Sequence, residues 1–237
     1  METILPLITY AGVIVLTAVM YTLVMMELKK AVDKTRWTEI QKKVRYRRIL
    51  VALITWASVI SGLAFSGFLQ NFSVFPPRLM IVLAIPLLTM IVLMFSSSVK
   101  ELLLLIPPQN IIRLQVFRVF VELMLWMLFL QNALPVQMSF EGRNFDVLAG
   151  LTAPFAAYFL VRFRVVLIIW NFLSLGLLIN IVTIAILSLP SPIRYFMNEP
   201  ANTIVTYFPY VLLPGLLVPL AYGLHFLSLR QLMMRKS

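Results

Sequence analysis

The sequence predicts an all-α, polytopic membrane protein, a bundle of seven transmembrane helices with the N-terminus outside and the C-terminus in the cytoplasm. Hydrophobic residues make up 61% of the 237 positions and charged residues only 12%, which leaves more apolar surface than a soluble core of this length can bury. Seven apolar stretches are each near the length needed to cross roughly 30 Å of hydrocarbon. The Lys and Arg residues fall mainly in alternate loops.

The predicted spans follow one another along the chain, so that residues 1–237 form a single membrane domain. They are 4–26, 49–70, 79–99, 112–135, 147–161, 165–187 and 204–229. The first is expected to be a retained helix and not a signal peptide, because it lacks a basic n-region and a cleavage site of small residues. The third could continue through 102–106 until Pro107 and Pro108 end it.

Basic residues determine the predicted orientation. One side of the bundle receives the segment Lys29 to Arg48, the loops after spans three and five, and the tail with Arg230, Arg235 and Lys236. The other side receives only Arg78, Arg143 and Arg194. Because cytoplasmic loops are enriched in Lys and Arg, the first side is predicted to be cytoplasmic. The basic cytoplasmic loop 27–48 is expected to contact anionic lipid headgroups, and the net charge of +11 reflects this topology better than nucleic-acid binding.

Several function classes are disfavoured by residues that the sequence lacks. Without Cys and with one His, no disulfide, haem or tight zinc site is expected, and neither a cofactor nor a metal is predicted. The last span contains no Lys for a retinal Schiff base. No stretch carries a catalytic signature, so an enzyme is less favoured than a binding or transport protein.

Span four carries the clearest candidate site. Gln115, Arg118 and Glu122 are spaced three and four residues apart, which places them on one helix face. A charge near the centre of a span costs about 2.5–3.5 kcal/mol on insertion scales, so Arg118 and Glu122 should face the bundle and pair with each other or with a neighbouring helix. They could form a substrate or proton site, or a structural ion pair that fixes helix packing.

Span seven supplies possible partners for that face. Tyr210 and His225 lie on one side of its helical projection, and His225 is about as deep as Arg118. If Glu122, Arg118 and His225 converge, His225 and Glu122 could carry protons near neutral pH. An ordinary packing role for a lone His is the alternative. Three prolines predict that this helix is kinked, namely Pro209, Pro214 and Pro219.

The predicted outer loops are rich in polar residues. These are Glu141, Arg143, Asn144 and Asp146 between spans four and five, and Asn198 and Glu199 between spans six and seven. They could cap the bundle through mutual hydrogen bonds, which is common in short loops, or recognise an external ligand or protein partner.

Segments of the C-terminal half resemble a family of bacterial multispanning membrane proteins usually described as hypothetical. The segments are RLQVFRVFVE at 113–122, FEGRNFD at 140–146, LTAP at 151–154 and MNEPAN at 197–202. The resemblance implies the cytoplasmic (inner) membrane of a bacterium. No activity is established for that family, so the resemblance transfers no functional residue.

Taken together, these patterns predict a small-solute or proton-linked transporter with a polar site between spans four and seven. The alternative is a receptor-like sensor or a subunit of a membrane complex that binds its ligand or partner through the outer loops. An intramembrane enzyme acting on lipid would require the outer carboxylates in a lipid-accessible cleft. A continuous polar path to both faces would distinguish the transporter from the other two classes.

Overall fold

Helices account for most of residues 4–234, the part of the chain that the computed structural model describes, and no strand occurs among these residues. Arg235 and Lys236 of the predicted basic tail lie outside the described residues. The helices are α1 Ile4–Asp33, α2 Glu39–Phe65, α3 Leu79–Met94, α4 Ser97–Leu105, α5 Pro108–Arg113, α6 Phe117–Leu130, α7 Val147–Tyr158, α8 Arg164–Leu187 and α9 Val218–Met234. The all-α class predicted from composition is therefore confirmed.

Long apolar helices dominate the bundle. Four helical segments are long and apolar enough to cross a membrane, namely α1, α2, α8 and Leu213–Met234, or five if α3 and α4 are counted as one bent span. Large apolar side chains remain exposed along these helices, including Ile54 on α2 and Phe172 and Leu173 on α8. Such extensive exposed apolar surface is compatible with a membrane protein.

The segment 27–48 is mostly helical, whereas the sequence predicted a basic loop there. Helix α1 continues to Asp33 and α2 begins at Glu39, so that only residues 34–38 connect them. Thr38 and Gln41 form a capping box at the start of α2, in which each side chain binds the backbone N–H of the other residue. The prediction was wrong because hydropathy marks the end of the apolar run, while Lys, Arg and Glu continue a helix readily.

Span three of the prediction is broken. Helix α3 ends at Met94, and α4 leaves it at an angle of 79°, because Ser96 has an extended backbone. Helix α4 ends at Leu105, ahead of Pro107 and Pro108 as expected.

The helix of predicted span seven begins later than expected. The peptide bond Phe208–Pro209 is cis, and the helix starts with a π-helical turn, Leu213–Leu217, that contains Pro214 and leads into α9. Proline removes a backbone donor and crowds the preceding turn, so the stretch 204–212 cannot form the regular helix that was predicted. Predicted span four is likewise shifted: α5, the 3₁₀ turn Leu114–Val116 and α6 form a helical run over 108–130.

Contacts between helices define two ends of the bundle. Arg230 near the end of α9 donates to the Ser96 carbonyl at the start of α4 (2.9 Å), and Trp37 in the α1–α2 connection donates to Glu101 of α4 (2.8 Å). We call this the basic end. At the other end, Thr9 of α1 meets Tyr210 (3.2 Å) ahead of α9. We call this the far end, and it includes the connection 188–212.

Glycine allows α7 to pack directly against α6. A Cβ atom on Gly150 would lie 2.8 Å from the backbone nitrogen of Val119, closer than two such atoms can approach. The absence of a side chain at Gly150 therefore brings the start of α7 against α6 beside Arg118, which positions the cluster described next.

Candidate functional site

An ion pair lies inside the bundle between Arg118 and Asp146. Arg118 stands in the first turn of α6 and Asp146 immediately precedes α7; both are buried, with 1% and 4% of their surfaces exposed. Arg118 Nε donates to Asp146 Oδ2 (2.7 Å), and Arg118 Nη2 donates to Asp146 Oδ1. Nη2 also donates to the carbonyl of Ser174 in α8 (3.1 Å). This bidentate geometry is the strongest form of the Arg–carboxylate interaction.

His225 of α9 extends the cluster on the other side of the guanidinium. Arg118 Nη1 lies 2.9 Å from His225 Nε2, and because a guanidinium only donates, Nε2 must accept. The ring proton is then on Nδ1, which donates to Asn171 Oδ1 of α8 (3.0 Å). Asn171 Nδ2 donates in turn to Ser228 Oγ (3.1 Å). In this arrangement His225 is a neutral acceptor that helps to hold Arg118.

Glu122, one turn after Arg118, has a different set of contacts. Its Oε2 accepts a hydrogen bond from Asn144 Nδ2, and Asn144 Oδ1 accepts one from the backbone nitrogen of Asp146 (3.0 Å). Among residues 4–234, Glu122 forms no ion pair and no hydrogen bond with His225. The expected pairing of Arg118 therefore occurs with Asp146 and not with Glu122, and Asn144 connects the two acidic residues.

The cluster holds one more acidic side chain than basic ones. The guanidinium of Arg118 and the carboxylate of Asp146 compensate each other, and His225 is neutral in the arrangement described. Glu122 is therefore the one acidic group of this cluster that the described ion pairs do not compensate. An uncompensated buried charge is costly, so this carboxyl requires a proton or an added cation.

The cluster lies at the middle of the bundle. Arg118, Ser174 and His225 are each near the centre of their helical segments, which are 108–130, Arg164–Leu187 and Leu213–Met234. The chain returns from the end of α6 through 131–146, and α7 begins at this central level. The N-terminus of α7 therefore faces the cluster, where its partial positive charge favours the carboxylate of Asp146. Helices that begin inside a bundle form the ion and substrate sites of many transporters.

A cavity of about 100 Å³ adjoins the acidic side of the cluster. It is bounded by α3, α6, α8 and the first turns of the last helix, and its walls are apolar except for Glu122, Asp146 and Asn202. Asn202 Nδ2 donates to the carbonyl of Ala185 (3.0 Å), whereas its Oδ1 is buried without a hydrogen-bond partner. The cavity thus extends from the central carboxylates toward the far end.

Two other residues of the predicted site lie outside the ion-pair network. Gln115 Nε2 donates to the carbonyl of Ala221 in α9 (3.2 Å), and its buried Oε1 has no partner. Tyr210 contacts Thr9 at the far end and is not among the hydrogen-bond partners of Arg118 or Glu122. The structure therefore brings Arg118, Glu122 and His225 into one network, but not Tyr210.

The predicted outer-loop residues divide into two groups. Asn144 and Asp146 are buried in the central cluster, while the other four make contacts among the loops and helix ends. Those contacts are Glu141 with the Trp126 indole N–H, Arg143 over the Phe196 ring at 5.5 Å, Asn198 Nδ2 to Gln137 Oε1 at 2.7 Å, and Glu199 to Arg194 at 3.0 Å.

Glu199 is held as a carboxylate in the far-end connection. The hydrogen bond from Arg194 lowers the pKa of Glu199 below its ordinary value, and the backbone N–H of Ala201, which donates at 2.7 Å, lowers it further. This contact links residues within one connection and leaves the central cluster unaffected.

Sequence reasoning missed the participation of Asn171, Ser228 and the Ser174 carbonyl, and it separated Asp146 from Arg118. One feature of the sequence indicated where Asp146 lies. Predicted span five is the shortest of the seven, as expected for a helix that starts inside the bundle and not at its surface.

Among the described residues, no group of three or more His, Asp or Glu side chains could hold a metal ion.

Comparison with known proteins gives one match. A family model described as a domain of unknown function (DUF8737) matches residues 76–233, which contain the whole central cluster. No curated protein and no solved structure matches the chain.

Proposed function

This chain belongs to the DUF8737 family, and we propose that it is a membrane transporter that couples movement of a small solute to movement of protons. The observation that carries the proposal is Glu122. It is buried to 99%, forms no ion pair among the described residues and lines a cavity. A carboxyl group in that situation can bind either a proton or a solute, which is the minimum requirement for coupling.

The proposed setting is the cytoplasmic membrane of a bacterium, crossed seven times. In addition to the long helices, the helical run 108–130 and the short α7 each cross the membrane in this proposal. The N-terminus lies outside the cell. The connection 34–38 and α4 then lie at the cytoplasmic face, where Lys29, Lys43 and Arg47 contact anionic headgroups. Under this assignment the central cluster lies near the middle of the bilayer.

The proposed roles within the cluster differ. The Arg118–Asp146 pair fixes the start of α7, with His225 and Asn144 as positioning residues. Glu122 is the group that gains and loses a proton as the solute leaves or enters the cavity. Because Asn144 bonds both to Glu122 and to Asp146, the residue immediately before α7, a change of charge on Glu122 alters the contacts at this helix terminus.

The elements around the cavity provide a means of opening it. The last helix begins with the π-helical turn Leu213–Leu217, and residues of this turn line the cavity together with α3. π-Helical turns occur frequently at functional sites. Rearrangement of this turn is the proposed route by which the cavity opens toward the far end.

Proteoliposomes with a trapped pH-sensitive dye test this function. Probes of four charge types, L-leucine, glucose, acetate and methylguanidinium, are added outside, and protein-dependent proton movement is recorded. We expect at least one probe to move protons in the wild type and to lose this effect in Glu122→Gln. The control is Glu199→Gln, a carboxyl-to-amide change far from the cluster. Proton movement that is the same in Glu122→Gln and the wild type would refute the proposal.

A sensor or complex subunit is the second candidate, favoured by the far-end connection. Tyr195 and Met197 there are each 71% exposed, which suits contact with a partner or ligand. In a deletion strain, this alternative predicts that Tyr195→Ala/Met197→Ala fails to complement the loss while Glu122→Gln complements it. The transporter proposal predicts the reverse.

A further inference from the structure

We propose that the cavity binds a small apolar organic cation with N–H donors, such as an alkylguanidinium or alkylammonium ion, in exchange for a proton on Glu122. The inference rests on the proposed function of this site and names the class of its substrate. Three features of the cavity support it: the hydrogen-bonding character of its polar groups, its charge and its size.

All the polar groups available to a ligand in the cavity are acceptors. Glu122 and Asp146 contribute carboxylate oxygens, and Asn202 contributes a buried Oδ1 without a partner. The two amide donors nearby are already used, since Asn144 Nδ2 binds Glu122 and Asn202 Nδ2 binds the Ala185 carbonyl. A ligand that satisfies these groups must therefore donate hydrogen bonds.

The charges around Glu122 indicate that a ligand that donates these hydrogen bonds is a cation. The charged groups that act on Glu122 are Arg118 and Asp146, which pair with each other. The titratable groups His225 and Tyr222 on α9 lie near that pair. Helices α3 and α8 contribute no titratable side chain to the cavity walls. One positive charge, from a proton or from a ligand, therefore neutralises the cluster.

A proton and a cation then compete for Glu122. When the cation enters, the O–H bond of the protonated carboxyl breaks, the proton leaves to bulk water and the carboxylate pairs with the cation. When the cation leaves, a proton returns. No oxidant or other reactant is needed, and the cluster keeps the same net charge throughout.

The dimensions of the cavity limit the apolar part of the ligand. Its volume of about 100 Å³ is below the roughly 150 Å³ of an engineered apolar cavity that accepts benzene. The walls between Glu122 and Asn202 include Leu125, Ile181 and Val182. A short alkyl chain suits this space, whereas a sugar would leave its hydroxyl groups without partners on these walls.

Calorimetry on the detergent-purified full chain tests the inference, with methylguanidinium as probe and methylurea as its neutral analogue of similar shape. We expect one site for methylguanidinium, release of about one proton on binding, and affinity that increases with pH. Proton release is obtained by repeating the titration in buffers of different ionisation enthalpy. The guanidinium remains charged throughout, so the proton must come from the protein. Methylurea should bind at least about tenfold more weakly, the effect of one charged hydrogen bond.

Two variants and a matched control locate the site. Glu122→Gln should weaken methylguanidinium binding by about tenfold or more and abolish proton release. Val182→Phe, which fills the cavity without touching the ion pair, should also abolish binding. Ile179→Phe makes a similar change on the same helix, at a side chain that is 50% exposed, and should leave binding unchanged. Equal binding of the urea and the guanidinium, or unchanged binding in Val182→Phe, would overturn the inference.

The two proposals fail in different ways. Binding with proton release but no flux in proteoliposomes would refute the transporter and keep the cation site. Proton-coupled flux of another probe, with no methylguanidinium binding, would keep the transporter and overturn the cation site.

Discussion

Replacing Asp146 by asparagine removes one charge from the central cluster while keeping the shape of the side chain. Arg118 would keep its contacts with the Ser174 carbonyl and His225 Nε2, but it would lose the carboxylate that compensates its charge. Both members of the pair are almost wholly buried, with 1% and 4% exposed. Removing one member of a buried pair costs about 3–5 kcal/mol, because the remaining charge is left uncompensated.

We therefore expect Asp146→Asn to lower the free energy of unfolding by about 3 kcal/mol, near the lower end of that range, since two acceptors of Arg118 remain. Equilibrium unfolding in detergent micelles, followed by tryptophan fluorescence, measures this change. Glu199→Gln is the control, since it breaks the exposed pair with Arg194 and should leave the unfolding transition nearly unchanged.

A double substitution distinguishes loss of the pair from general damage to the site. Arg118→Met/Asp146→Leu replaces both charges by apolar side chains and should be less destabilised than Asp146→Asn alone. If Asp146→Asn unfolded like the wild type, the claim that Arg118 and Asp146 form a buried ion pair would be wrong. If the losses measured for Arg118→Met and for Asp146→Leu add up to the loss in the double variant, the two residues do not interact.

Three further outcomes are expected. His225→Ala removes one acceptor from Arg118 and should lower the free energy of unfolding by about 1–3 kcal/mol, measured in the same assay. The variant should keep any pH dependence of proton-coupled transport that the wild type shows. Loss of that pH dependence would instead show that His225 carries protons. Gly150→Ala should lower the free energy of unfolding by about 1–3 kcal/mol, because the added methyl group would clash with α6. Gly176→Ala is the control: open space surrounds Gly176, so this variant should unfold like the wild type. The contact between Glu199 and Arg194 contributes above the ordinary carboxyl pKa and is lost as the pH falls through the lowered pKa of Glu199. The protection of amides in this connection, measured relative to their intrinsic exchange rate at each pH, should therefore fall in acid. Glu199→Gln should show the reduced protection already at neutral pH.

Part of the central site was predictable from sequence. Arg118 and Glu122 stand in an apolar stretch at helical spacing, and the cost of a charge in lipid places both toward the bundle. His225 could be assigned a similar depth by counting residues from the end of its span. These arguments need only helical periodicity and span length, which are local properties of the chain.

The partner of Arg118 was not predictable in the same way. Hydropathy shows that an apolar run begins at Val147, but not how deep in the bundle it begins, so Asp146 was placed in an outer loop. Its position depends on how the chain 131–146 packs back into the bundle and on the contact of Gly150 with α6. Such tertiary packing leaves little periodic signal in a single sequence.

The ends of several helices were also not predictable from the sequence. The apolar pattern continues through Phe95, and only the short run of serines after it marks the sharp turn between α3 and α4. At the basic end, charged residues continue α1 and start α2 beyond the apolar core. Hydropathy therefore located the apolar segments but not the ends of the helices.

The central claim is that Glu122 exchanges a proton within the buried cluster. Infrared difference spectroscopy of the protein in lipid vesicles across a pH titration tests it most directly, because the carboxyl C=O stretch reports protonation without any ligand. The account predicts a band of a protonated carboxyl that disappears as the pH rises, and that is absent in Glu122→Gln but retained in Glu199→Gln. The same titrating band in Glu122→Gln and the wild type would contradict it.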